Sequence, residues 1–177
     1  MRANNAENET GADTHATSDT LITTPPMGLE PGWIDYNDHL NMAYYNVLFD
    51  RAVDIVYERI GAGPAYLKAH QASLFTVETH IRYLRELKPD ALVTTTFQLI
   101  AHDDKRLHGY QEVRHRDGWL AATCEGLFLH VDQTVPRASP FPAPVLAAIR
   151  QLMRAHAHLP RPQGLGSAIA IPARSKA

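Results

Sequence analysis

The stretch GWIDYNDHLNMAYYNVLFDRAVDIVYERIGAG, residues 32–63, combines a dense polar and aromatic group with the longest amphipathic segment of the chain. Apolar side chains recur there in steps of three and four: Tyr45, Leu48, Phe49, Ala52, Val53, Val56 and Ile60. This spacing predicts a helix from Asn41 to Ile60, and Gly61 and Pro64 follow it as stop signals. Such a helix is ~30 Å long, and its broad apolar face needs a large surface to pack against.

The sixty or so residues after this helix have the pattern of a β-sheet that could supply that surface. In residues 75–83, FTVETHIRY, apolar and polar side chains largely alternate, which predicts a half-buried strand. Residues 91–101, 106–116 and 119–131 read as three further strands joined by tight turns. With a short first strand near Met27, the order is strand, long helix, four antiparallel strands. The predicted class is α+β, an antiparallel sheet wrapped around one central helix.

Composition divides the chain into three parts. Residues 1–25 hold almost no large apolar groups, so we expect a disordered tail there. Residues 26–137 form the predicted domain, and residues 138–177 are expected to add a C-terminal helix, around APVLAAIRQLMRAHAHL, and a tail.

Charge and cysteine content narrow the classes of function. The formal net charge is −2, so no overall basic field indicates nucleic acid or a membrane surface as a partner. Cys124 is the one cysteine, which excludes a disulfide within the chain. The first residues have no apolar segment of the kind found in secretory signals. We therefore expect a cytoplasmic protein.

The polar residues ahead of the helix have two interpretations. A helix N-terminus carries unpaired N–H groups and about half a positive charge, so it can stabilise negative charge on a substrate oxygen. Asp35 lies six residues before Asn41 and could act there as a nucleophile or as a general base on water. The alternative is that Asp, Asn and His precede the helix because they cap it. Spacing alone leaves both interpretations open.

The segment WIDYNDHLNMAYYNVLFDRA resembles the D-x-x-G-H-x-N…Y signature of the hot-dog acyl-CoA thioesterases, in the 4-hydroxybenzoyl-CoA thioesterase-like group. The matching positions are Asp35, His39, Asn41 and Tyr45. The resemblance covers roughly residues 27–142, and its later segments are most similar to the betainyl-CoA thioesterases of carnitine breakdown.

This resemblance implies a hot-dog fold and a set of roles. Asp35 would be the catalytic carboxylate, and the amides near Asn41 and Met42 would polarise the thioester carbonyl. His39 and Asn41 would orient water, the loop or the carboxylate. Neither a metal nor an organic cofactor is implied, and the protein would be a homodimer or a dimer-based homotetramer with acyl-CoA as substrate. Asp38 replaces the glycine of the signature, and we interpret it as a helix cap.

A betainyl group would require a site for a trimethylammonium cation. Aromatic faces attract such cations by about 0.5–2 kcal/mol per contact. Trp33, Tyr44 and Tyr45 are the candidate rings, with Glu78 or Glu125 as a candidate charge partner from the strands. Packing of the helix against the sheet is the alternative role for these three rings.

Two other functions are compatible with a hot-dog fold. Hot-dog hydratases carry Asp-x-Asn-Pro-x-His, in which His lies five positions after Asp, whereas His39 lies four positions after Asp35 with no proline between them. A non-catalytic acyl-CoA-binding module is the second alternative, and the sequence does not exclude it.

Overall fold

A computed structural model describes residues 21–171 of the chain. The strands are β1 (Ile22–Thr23), β2 (Met27–Gly28), β3 (Ala72–Tyr83), β4 (Leu92–His102), β5 (Arg106–His115), β6 (Leu120–Asp132) and β7 (Arg137–Ala138). The helices are α1 (Met42–Arg59), α2 (Pro64–His70) and α3 (Ala143–His156), with a short 3₁₀ turn at Pro31–Trp33.

The strands form one antiparallel sheet that packs around α1. Its order is β1-β4-β5-β6-β3, with β2 also paired to β4 and β7 to β6. Leu48 and Val56 of α1 are fully buried against the sheet. The predicted α+β class, with an antiparallel sheet around one long helix and an additional C-terminal helix, is confirmed.

The long helix begins and ends where the sequence predicts. Asn41 is its N-cap and Ile60 its C-cap, and Gly61 follows with a φ of 74°. That left-handed conformation is the usual way to end a helix. Pro64, predicted only as a stop signal, also begins α2, a helix that the sequence analysis did not predict. Proline is well suited to a first helical turn because its missing N–H would have no partner there.

The ordered chain begins earlier than predicted. Ile22 is buried, and β1 pairs with Phe97 and Thr96 of β4. Residues 21–25 were predicted as part of a disordered tail, and the pairing of β1 places Ile22 and Thr23 in the sheet instead. Residues 1–20 and 172–177 lie outside the described residues, so the predicted tails there, and the division into domains, stay predictions.

Helix α3 packs against the same core, and the segment after it crosses the sheet. His156 at the end of α3 accepts a hydrogen bond from the backbone N–H of Leu99, with its Nδ1 2.8 Å away. Beyond it, the carbonyl of Gln163 accepts a 2.7 Å hydrogen bond from the Tyr110 hydroxyl. Within residues 21–171, none of the helices has the length and hydropathy to cross a membrane.

Strand β3 is an edge of the sheet and is less buried than predicted. In the described part of the chain β3 pairs along its length with β6 alone, with a bulge between Thr76 and Glu78. Phe75 and Val77, expected on a buried face, are 46% and 51% exposed. The strand is confirmed, and Leu74 is buried in the core, but nothing within residues 21–171 covers Phe75 and Val77.

Candidate active site

The loop before α1 is a tight turn that holds Asp35 in place. The N–H of Asp35 donates to the carbonyl of His39 at 2.9 Å, and the N–H of Asp38 donates to the carbonyl of Asp35 at 3.0 Å. Asp38 has a φ of 59°, a left-handed conformation that glycine adopts freely and that aspartate tolerates better than most residues. The turn therefore explains why the signature has glycine here. The prediction that Asp38 caps the helix is wrong, because Asn41 is the N-cap.

Hydrogen bonding at the start of α1 leaves one amide available. The side chain of Asn41 accepts from the N–H of Ala43 at 3.0 Å. The N–H of Asn41 itself donates to the carbonyl of Trp33, and the N–H of Tyr44 donates back to Asn41. Among residues 21–171, the N–H of Met42 has no such partner. Of the two amides predicted to polarise a carbonyl, Met42 is thus the one that is free to do so.

Asp35 and Met42 line one open cavity of about 490 Å³. Its wall is built from the loop residues 35–36 and 39–41, from the start of α1, and from residues 83–86 after β3. Asp35 is half-buried, and its Oδ1 accepts the N–H of Asn37 at 2.8 Å. A carboxylate and an unpaired amide at the positive end of a helix therefore share a space large enough for a small acyl group.

His39 lines this cavity and faces another acid. Its Nε2 lies 3.2 Å from Oε1 of Glu86, and Nζ of Lys88 lies 3.7 Å from the same oxygen. The Glu86 side chain is 58% exposed. His39 thus holds Glu86 at the cavity wall, and it touches Asp35 through its backbone carbonyl.

Two tyrosines form the inner wall of the cavity. The rings of Tyr45 and Tyr83 meet edge to face, with centroids 5.1 Å apart. The Tyr83 hydroxyl donates to the carbonyl of Met42 at 3.2 Å. Tyr45 is 4% exposed, and burial raises its pKa to about 12. It therefore remains a neutral phenol at physiological pH, and it both packs in the core and lines the cavity.

The structure does not bring the other predicted aromatic residues to this cavity. Trp33 is 7% exposed and stacks on Tyr44, with centroids 5.7 Å apart. The Arg51 guanidinium lies 4.9 Å from the centroid of the Trp33 ring and also pairs with Glu30 at 2.8 Å. Of the three predicted rings, Tyr45 alone lines the space beside Asp35.

Glu78 lies elsewhere as well. It lines a separate cavity of about 560 Å³ together with His80, His108 and Glu125. Oε1 of Glu125 accepts from Nε2 of His108 at 2.8 Å. Side chains alternate between the two faces of a strand, and the bulge in β3 resets this alternation just before Glu78. Its placement depends on that bulge, which the sequence pattern does not reveal.

Sequence reasoning missed Tyr36, Tyr83 and Glu86 as cavity residues. Tyr83 was identified only as an apolar position of a strand, and Glu86 follows that strand without any motif. Contacts between segments far apart in the sequence bring them to the helix start: the Tyr83 hydroxyl donates to the carbonyl of Met42, and the N–H of Leu40 donates to the carbonyl of Leu87 at 2.9 Å. Within residues 21–171, no group of three or more His, Cys, Asp or Glu side chains is arranged to hold a metal ion.

Comparison with known proteins connects this geometry to a family. Residues 29–149, more than half of the chain, match the profile of the thioesterase-like superfamily. A betainyl-CoA thioesterase of Pseudomonas aeruginosa is 39% identical over 153 residues, which are 86% of this chain and 96% of that protein.

Two further relatives extend the comparison. An L-carnitine dehydrogenase/betainyl-CoA thioesterase of Rhizobium meliloti is 38% identical over 135 residues, 76% of this chain but 27% of that longer protein. A Staphylococcus aureus protein solved in complex with CoA superposes with a TM-score of 0.81 at 30% identity, over 90% of this chain and 100% of its own.

Proposed function

The chain belongs to the thioesterase-like superfamily and is an acyl-CoA thioesterase, and we propose that its substrate is betainyl-CoA, which it hydrolyses to betaine and free CoA. The single observation that carries the mechanism is the cavity shared by the Asp35 carboxylate and the unpaired N–H of Met42. The relatives of the chain support betainyl-CoA as the substrate, because the betainyl-CoA thioesterase of Pseudomonas aeruginosa aligns with this chain over 96% of its own length.

The proposed reaction uses the two groups on the thioester carbonyl. The N–H of Met42 donates to the carbonyl oxygen, and the positive end of α1 stabilises the negative charge that develops there. The Asp35 carboxylate either attacks the carbonyl carbon or takes a proton from a water that does so. In the first route a mixed anhydride forms as the C–S bond breaks, and water then hydrolyses the anhydride; in the second the water adds directly and the C–S bond breaks. In both, a proton from the water ends on the CoA sulfur, and the water oxygen becomes the second oxygen of the product carboxylate.

We further propose that the protein acts as a homodimer joined along β3. This strand is a long sheet edge with exposed Phe75 and Val77, and such an edge presents unpaired backbone groups that can pair with a strand of another chain. Tyr83, at the end of β3, lines the Asp35 cavity, so the interface and the site would adjoin. In sedimentation experiments the wild type should have the mass of a dimer, and Val77→Lys should shift it towards the mass of a monomer. A monomeric mass for the wild type would contradict the dimer.

Release of free CoA from four substrates tests the function. Acetyl-CoA, benzoyl-CoA, a medium-chain acyl-CoA and betainyl-CoA would be compared at equal concentrations, with a thiol reagent as the readout. The proposal expects the highest kcat/KM for betainyl-CoA. A preference for a neutral acyl group would refute the substrate and keep the enzyme class.

Neither alternative would release CoA in this assay. A non-catalytic module would bind CoA esters without releasing CoA from any of them. A hydratase would add water to an enoyl-CoA and leave its thioester intact. We propose a cytoplasmic location, because a CoA ester carries phosphate charges that do not cross a bilayer unaided.

A further inference from the structure

We propose that Tyr45, Tyr83 and Glu86 form the recognition site for the trimethylammonium group, which we call the ammonium cage. This inference rests on the proposed function. It keeps Tyr45 from the rings that the sequence suggested and adds Tyr83, at the end of β3, and Glu86 after it, and it leaves Trp33 and Tyr44 a structural role.

The chemistry of the substrate limits where the cage can lie. In a betainyl thioester one methylene separates the carbonyl carbon from the ammonium nitrogen. A carbonyl beside Asp35 and Met42 therefore places the cation in the same cavity. Glu78 lines a different cavity, and Trp33 is buried with Arg51 over its ring. None of those predicted residues can reach a group so close to the reacting carbon.

Three tyrosines line this cavity: Tyr36 is 97% exposed, whereas Tyr45 and Tyr83 pack against each other. Tyr83 is 44% exposed and is fixed by the hydrogen bond from its hydroxyl to the carbonyl of Met42. Met42 is also the residue whose N–H is proposed to donate to the thioester carbonyl oxygen. The edge-to-face contact with Tyr45 holds the Tyr83 ring from the core side. A cation next to the carbonyl would thus meet a positioned tyrosine ring, an arrangement that attracts quaternary ammonium groups.

The charges of the cavity also favour a cation. Its acidic residues are Asp35, which the reaction uses, and Glu86. The one arginine in the wall, Arg85, stacks over Trp119, with its guanidinium carbon 4.1 Å from the ring centroid. Glu86 is kept at the wall by His39. Because Glu86 is more than half exposed, solvent screens its charge, and we expect a modest effect from it.

The test compares betainyl-CoA with tert-butylacetyl-CoA, which has the same shape but a neutral carbon in place of the nitrogen. Glu86→Gln and Tyr83→Leu should each lower the ratio of kcat/KM for the charged over the neutral ester by about fivefold, mainly through KM. Any general damage to the site affects both esters and cancels in the ratio.

Matched variants control for the type of residue removed. Glu30→Gln removes a carboxylate that pairs with Arg51, and Tyr44→Leu removes the ring stacked on Trp33. Both should leave the ratio at its wild-type value. A ratio that falls in Tyr44→Leu and not in Tyr83→Leu would overturn the cage.

The cage and the proposed function fail in different ways. If wild type cleaves both esters equally well, the cage is refuted while the thioesterase remains. If neither ester is cleaved, the proposed substrate class fails first. A charged-ester preference that Glu86→Gln and Tyr83→Leu leave intact would keep the function and refute the assignment of these residues.

Discussion

Substitution of the helix cap, Asn41→Ala, should reduce both stability and turnover. The side chain of Asn41 accepts one hydrogen bond, from the N–H of Ala43 at 3.0 Å, and loss of such a cap costs about 1 kcal/mol. For a chain of this size, that corresponds to a decrease in Tm of about 2–4 °C. The first turn of α1 would also fray more often, and the N–H of Met42 would move with it.

The effect on turnover has an upper bound set by the same energy. If all of the ~1 kcal/mol came from the transition state, kcat would fall about fivefold. That is far less than the roughly hundredfold or larger loss expected when an oxyanion donor is removed outright. Thermal melts followed by circular dichroism and CoA release under saturating substrate measure the two effects.

Asn41→Ser is the matched control, because serine caps helices about as well as asparagine. Asn41→Ser should therefore have a Tm and a kcat close to those of the wild type. The reasoning is refuted if Asn41→Ala has wild-type Tm and turnover. It is also refuted if Asn41→Ser loses as much activity as Asn41→Ala, since the amide would then act on substrate rather than on the helix.

Two further predictions concern the core. Gly109→Ala should destabilise the protein by about 1–3 kcal/mol, because a Cβ there would overlap the Phe97 ring. Gly28→Ala, whose nearest contact would be 3.8 Å, should unfold like wild type in a urea titration, and equal losses in the two variants would contradict this explanation. Burial raises the pKa of Cys124 to about 12, so the thiol stays protonated and should react with iodoacetamide at about pH 8 only after unfolding. Rapid labelling of the native protein, detected by mass spectrometry, would contradict its burial.

The sequence predicted the long helix and the sheet because both depend on local periodicity. The apolar spacing from Tyr45 to Ile60 depends only on neighbours along the chain. The predicted helix start at Asn41 was right, but the cap was assigned to Asp38, whereas Asn41 is the N-cap. Helix α2 was missed because its seven residues are too few to show a periodic pattern, and Pro64 was interpreted as an end rather than a beginning.

The site was only partly predictable, because some of its residues are far apart in the sequence and meet only in the fold. Asp35 and Met42 are close in sequence, so a motif can show them together. Glu86 reaches the same cavity because the segment after β3 is bonded to the loop before α1, where the N–H of Leu40 donates to the carbonyl of Leu87, and no local pattern records that contact. Glu78 was misplaced because one bulge changes which face of β3 each later side chain occupies.

Turnover of Asp35→Asn tests the central claim most directly. Asp38→Asn, in the same loop, is the control, because it also removes one carboxylate and asparagine tolerates the same left-handed backbone. The account predicts that Asp35→Asn lowers CoA release by about a hundredfold or more at wild-type Tm, while Asp38→Asn stays near wild type. Wild-type CoA release by folded Asp35→Asn would contradict the mechanism.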